Sequence, residues 1–185
     1  MAVAGEKNSL MVKKSLVCLT SLAAMALVFT SSKKENEENF YFDEIQALAE
    51  EALVGGGTLT ADSLEGKMLI LNFWASYDPA SRINSYNLLQ TCGRYAGASF
   101  GSAGGLRVVC VSLDTFRSPM LKAIKADGTE DFFHVCDFKG VESDLARGFD
   151  VNRPVNLLVG PDGRILARDF GTKTIERALE MLKES

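Results

Sequence analysis

The sequence predicts an α/β fold: a mixed β-sheet with helices on both faces, closed by a C-terminal β-hairpin and helix. Three observations predict it. Residues 68–74 and 106–113 are apolar runs without alternation, as in strands covered on both faces by helices. Helical patterns lie between such runs, which requires crossover connections, normally right-handed. Near the C-terminus, Gly160-Pro161-Asp162-Gly163 separates two short strand-like runs, the turn chemistry of a hairpin.

The elements follow in order. Lys7, Lys13 and Lys14 precede an uncharged stretch over residues 15–32, whose centre, 16–29, is almost wholly apolar. Two lysines and the acidic run Glu35-Asn36-Glu37-Glu38-Asn39 follow it. A basic start, a short apolar core and small residues after it form a secretory signal pattern. The run is short for a spanning helix, which needs about 20 residues. Residues 1–32 therefore read as a signal peptide or an N-terminal membrane anchor, with tethering through residues 15–30. Ser31 and Ser32 stand where a lipoprotein anchor needs cysteine, and Cys18 lies too early.

Residues 33–57 read as a linker and a short helix. Asp43 opens the helix, Ile45, Leu48, Ala49, Ala52 and Leu53 share one face, and Gly55-Gly56-Gly57 ends it. Residues 58–185 form the main domain. Residues 58–66 read as a loop or short edge strand, and 68–74 as the first buried strand. Pro79 opens a helix carrying Ile83, Tyr86, Leu88, Leu89 and Tyr95. Residues 97–105 are a small-residue loop. The remaining expectations are a strand at 106–113, a helix at 120–126, a strand at 132–136, a helix at 141–149, a hairpin over 155–168, and an amphipathic helix at 172–183 with Ile175, Ala178, Leu179 and Leu182 inward.

Composition narrows the function. The chain has 185 residues, 46% of them hydrophobic, and a net charge of −4. Without residues 1–32 it carries 17 basic and 23 acidic residues, net −6. No basic stripe interleaved with aromatics is present, which argues against nucleic acid. The four cysteines, Cys18, Cys92, Cys110 and Cys136, include no Cys-x-x-Cys, and His134 is the single histidine. No metal site and no cofactor is therefore expected. The glycine-rich loop at 97–105 lacks the Gly-Lys-Ser/Thr ending of a phosphate cradle.

Four ordered passages resemble the thioredoxin superfamily, specifically its extracytoplasmic thiol–disulfide oxidoreductase branch and the related peroxiredoxins. Residues 64–76, ending Asn72-Phe73-Trp74-Ala75-Ser76, resemble that branch's first core strand and its approach to the active site. Residues 108–114 resemble the next strand, 151–159 the segment bearing the family's cis-proline, and 160–165 its hairpin. The resemblance implies a thioredoxin-like domain outside the cytoplasm, periplasmic or secreted. It also implies a cis bond before Pro154.

The sequence departs from the family where the chemistry resides. The family follows Trp-Ala-Ser with an aromatic residue and Cys-x-x-Cys; here Trp74-Ala75-Ser76-Tyr77 is followed by Asp78-Pro79-Ala80-Ser81. Asp78 occupies the nucleophile's position and Ser81 the resolving position. Disulfide exchange needs a thiolate attacking sulfur and a second thiol to release the mixed disulfide. A carboxylate and a hydroxyl supply neither. Asp78 is instead a preferred N-cap and Pro79 a preferred first helical residue.

The expected function is thus a redox-inactive domain that binds a peptide or protein partner through Trp74, Tyr77, Asp78, Arg153 and Pro154. Trp74 has two open readings, substrate surface or core. The alternative function is thiol–disulfide exchange through Cys92 or Cys136, which a disulfide between those two would also occupy. Cys110, inside a strand, reads as core, and His134 as a strand residue.

Overall fold

The structure, a computed structural model, describes Val54 and residues 59–101 and 103–183. The expected signal or anchor, the linker and the helix over 43–53 lie outside the described residues. Strand β1 (Met68–Trp74) is buried along its whole length and is the centre of a five-stranded sheet. Helix α1 (Ala61–Leu64) precedes it, so the stretch expected as loop or edge strand contains one helical turn. Helix α2 (Pro79–Gly93), strand β2 (Leu106–Ser112), helix α3 (Arg117–Asp127) and strand β3 (Phe133–Val135) follow. A 3₁₀ turn (Gly140–Glu142) and helix α4 (Asp144–Gly148) lead to the hairpin of β4 (Val155–Val159) and β5 (Ile165–Arg168), then helix α5 (Thr172–Leu182).

The strand order is β3-β2-β1-β4-β5. β1 runs parallel to β2, from Met68 opposite Leu106 to Trp74 opposite Ser112, and β2 runs parallel to β3. β4 lies antiparallel to β1, with Phe73 opposite Val155. The sheet is mixed, as the apolar runs and the hairpin predict.

Alternation along β1 divides the core between two faces. Leu69, Leu71 and Phe73 pack with Leu59, Leu64, Leu145 and Phe149. Met68 and Ile70 pack with Leu88 of α2 and Ile175 and Leu179 of α5, while Trp74 joins Leu89 of α2 and Met120, Ala123 and Ile124 of α3. Each such side chain contributes about 1.5–3 kcal/mol on burial, so a central strand exposed on either face would forfeit several of these contributions.

Three helices differ from the sequence reading by more than one residue. Helix α2 ends at Gly93, leaving Tyr95 beyond it, and α3 starts three residues earlier than expected. The single helix expected over 141–149 is two pieces. Ser143 interrupts it with extended φ/ψ of −61° and 149°, and its side chain accepts from Ala146 N–H as the cap of α4. α3 stops at Gly128, whose φ of 63° is a left-handed conformation that favours glycine.

Candidate functional site: the loops beyond the parallel strands

The carboxyl ends of β1, β2 and β3 and the start of β4 lie at one end of the sheet, fixed by strand direction. In open α/β sheets this end is where ligands are received. Four loops meet there: 75–78, 113–116, 136–139 and 152–154. They carry every residue of the expected binding set except Trp74, which closes β1.

Trp74 takes the core role of the two that were open. It is 3% exposed, and its ring meets His134 edge-on at 5.7 Å between centroids. Tyr77, three residues on, is 68% exposed. Asp78 has extended backbone (φ −107°, ψ 101°), and its Oδ1 accepts from Ala80 N–H at 2.9 Å and Ser81 N–H at 3.1 Å. Two of the free N–H groups at the start of α2 are thereby satisfied by a side chain of the same segment. The amides that would favour a thiolate at this position serve a carboxylate instead.

Ser81 is buried, and its hydroxyl is consumed locally. Its Oγ accepts from Ala75 N–H at 3.2 Å and donates back into the loop, 3.0 Å from Asp78 O and 3.2 Å from Ala75 O. Ser85 Oγ donates to Ser81 O at 2.8 Å. Where the family's second sulfur would sit, a hydroxyl closes the turn.

Arg153 is exposed and paired with exposed Asp169 at 2.5 Å. Pro154 precedes β4, next to the Phe73–Val155 register pair, which places it beside the end of β1. The expected cis bond is absent: no peptide bond among the described residues is cis. Trans is the ordinary state of an X–Pro bond by about 0.5–1 kcal/mol, and proline before the first residue of a strand removes no ladder hydrogen bond.

The site contains a buried acid that sequence reasoning did not single out. Asp114, 2% exposed, accepts from Ser76 N–H at 3.0 Å, Ser76 Oγ at 2.5 Å and Ser112 Oγ at 2.7 Å. These bonds tie the loop after β1 to the loop after β2. Cys136 Sγ donates to Asp114 O at 3.5 Å. The available signal was an acid directly after an apolar strand. Phe116, at the start of α3, was also missed and is 72% exposed. Between α2 and the C-terminal end of α3, Pro79, Arg82, Ile83, Tyr86, Ala126 and Asp127 line a groove of about 420 Å³. Ile83 and Tyr86 face solvent, whereas Leu88 and Leu89 of the same helix are buried. Arg82 and Asp127 bridge α2 to α3 through two charge-assisted hydrogen bonds, at 2.8 and 2.5 Å.

The three cysteines among the described residues are free thiols, so Cys92 and Cys136 are not joined. They belong to different parts of the core: Cys92 packs between α2 and α5, Cys136 against the α3 cluster. Burial pushes the Cys92 thiol up to about 12 and the Cys110 thiol higher still. Half-buried Cys136 is raised too, chiefly by desolvation, with Asp114 and Asp137 adding like charge. Burial lowers the His134 pKa. Its Nε2 lies 2.8 Å from Thr129 O, which can only accept, while Nδ1 has no partner. Among the described residues no cluster of three or more His, Cys, Asp or Glu could hold a metal ion.

No family model and no curated protein matches the chain. Solved structures do. A thiol–disulfide oxidoreductase from Bacteroides fragilis is 30% identical, with a TM-score of 0.58 over 71% of this chain and 94% of its own. The C-terminal domain of a protein assigned as a thiol–disulfide oxidoreductase from Bacteroides thetaiotaomicron is 28% identical, with a TM-score of 0.60 over 75% and 97%. A secreted disulfide oxidoreductase from Mycobacterium tuberculosis shares the fold at 17% identity, with a TM-score of 0.58 over 76% and 99%. The sheet order, the four loops at its carboxyl end and these relatives together place the chain in the thioredoxin superfamily, among its thiol–disulfide oxidoreductases.

Proposed function

We propose that this protein is a redox-inactive thioredoxin-like domain outside the cytoplasm that binds a peptide or protein partner at the surface left by the family's active site. One observation carries the reading: the start of α2 is complete without sulfur. The Asp78 side chain satisfies the amides that would stabilise a thiolate, and the Ser81 hydroxyl is held by its own turn. Among the described residues no thiol is poised as a nucleophile, since burial raises all three. What remains on the surface is exposed Tyr77 next to Asp78, with Arg153 and Pro154 at the start of β4.

Export rests on the N-terminal signal pattern, and is supported by similarity to a protein described as secreted. Among the described residues no helix is long and apolar enough to cross a membrane; the tether reading rests on the apolar run over residues 15–30.

Insulin reduction under dithiothreitol tests the redox half. The wild type should not exceed the reductant alone, whereas Asp78→Cys with Ser81→Cys should form a disulfide and gain turnover. Wild-type turnover that disappears in Cys136→Ser or Cys92→Ser would establish the alternative reading, exchange through a thiol outside the motif. Cys136, at the carboxyl end of β3, is the better placed of the two. For the binding half, a peptide array probed with wild type and Tyr77→Ala should show a signal that falls at least about tenfold in the variant, the scale of one buried aromatic anchor. Equal signals would remove Tyr77 from the binding surface.

A further inference from the structure

We propose that the outward face of α2 is the contact through which two copies of this chain pair, ridge into groove, about a two-fold axis. Three observations carry this. The first is which side chains α2 turns outward. Ser81, Ser85, Leu88, Leu89 and Cys92 are buried. Pro79, Ile83, Tyr86 and Gln90, spaced i, i+4, i+7 and i+11, form one exposed row on the opposite side. Ile83 is 64% exposed and Tyr86 45%. Over the first two turns, serines face the core and the large apolar side chains face water, the reverse of an ordinary surface helix.

The second is charge. Arg82 is the only charged side chain in the 15 residues of α2, and Asp127 neutralises it through two hydrogen bonds, at 2.8 and 2.5 Å. By contrast α5, also a surface helix, carries Lys173, Glu176, Arg177 and Glu180 in 11 residues. The outward row of α2 is flanked by Ala80, Asn84 and Asn87, none of them charged. A protein of net charge −4 repels its own copies. A face without net charge is where they approach at least electrostatic cost. Depletion of charge around aromatic and aliphatic side chains is the composition of the core of a protein–protein contact.

The third is shape. The row stands beside the groove of about 420 Å³ between α2 and the C-terminal end of α3, with Ala126 and Asp127 on the far wall. Ridge and groove therefore lie side by side on one face. A two-fold contact is isologous, so each copy must accept what the other offers. This face meets that demand by itself: the Ile83–Tyr86 ridge of one copy seats in the groove of the other, and the reverse, as in ridge-into-groove helix packing. Lys122, one helical turn before Ala126, is exposed and stands at the rim of such a contact, where salt and water screen it.

The inference goes beyond the binding reading and does not depend on it. Its consequence is bivalence: a pair presents two copies of the surface around Tyr77 and Arg153, and a partner offering two sites is held more tightly than by either alone.

Sedimentation equilibrium of the full chain over a micromolar concentration series tests it. The wild type should pass from monomer to dimer as concentration rises. Ile83→Glu and Tyr86→Glu, at exposed positions, should each weaken dimerisation at least about tenfold while Trp74 fluorescence remains native. Met181→Glu, at a similarly exposed apolar position on α5, should pair as the wild type does. Added salt should leave the dimer intact or tighten it, because no ion pair joins the copies and their mutual repulsion is screened. A wild type that stays monomeric would assign the face to a different partner and overturn the proposal. Dimers that persist in either Ile83→Glu or Tyr86→Glu would place association elsewhere, as through the apolar run over residues 15–30, and overturn it equally. An equal loss in Met181→Glu, or dissociation by salt, would do the same.

Discussion

Asp78 shows how one side chain can complete the start of a helix. Its Oδ1 caps two amides, and Pro79 adds the fixed φ suited to the first turn. Asp78→Ala should lower the unfolding free energy by about 1 kcal/mol, and Asp78→Asn by much less, because asparagine caps nearly as well. Urea unfolding followed by Trp74 fluorescence measures both; equal losses in the two variants would mean that charge, not capping, is the contribution. This feature was legible in the sequence because capping spans three residues. The bonds of Asp114 were not, because Ser76 stands 38 positions away and only the sheet register brings the two together. Trp74 shows the same limit. Its position in the motif left surface and core open, and only the packing of β1 against α2 and α3 decided for the core.

Between elements, junctions rather than strands carry the site. The Asp114 side chain joins the end of β1 to the end of β2, and Arg82 with Asp127 joins α2 to α3. Asp114→Ala would leave Ser76 N–H, Ser76 Oγ and Ser112 Oγ without their acceptor in a closed setting. Hydrogen bonds to a charged group are worth about 1.5–3 kcal/mol each and do not add, so the expected loss is about 3 kcal/mol. Asp114→Asn, which keeps one acceptor oxygen, should lose less. If Asp114→Ala unfolds with wild-type stability, the two loops are held by something else. At this scale the sequence was most informative for strands and the hairpin, whose apolar runs and turn residues are contiguous. It was least informative for the helices around residues 140–149, where the Ser143 cap divides one apolar pattern into two elements. It also did not reveal which side of α2 faces outward, since Ile83 and Tyr86 belong to a surface groove.

For the whole molecule, the ionisation of buried groups sets the pH range of the fold. On the alkaline side, unfolded Cys92 ionises near 9, while the folded thiol holds its proton to about 12. Stability is complete below the first value and declines as pH rises through that window. On the acid side the relevant group is His134, the chain's single histidine. Desolvation lowers its pKa in the folded protein, outweighing the Thr129 carbonyl and Glu130, which act in the opposite direction. The unfolded chain therefore takes up a proton near pH 6.5 that the folded protein refuses, and stability must fall as pH drops below that value. The ring has little room to adapt, since it packs edge-on against Trp74 and its Nδ1 lacks an acceptor for a second proton. Urea unfolding between about pH 7 and pH 5, above the range where most carboxylates titrate, should show this decline in the wild type. In His134→Gln, which cannot take up the proton, stability should be nearly flat over the same interval. Parallel slopes in the two proteins would show that His134 is protonated without cost in the folded state and that the acid limit of the fold lies elsewhere.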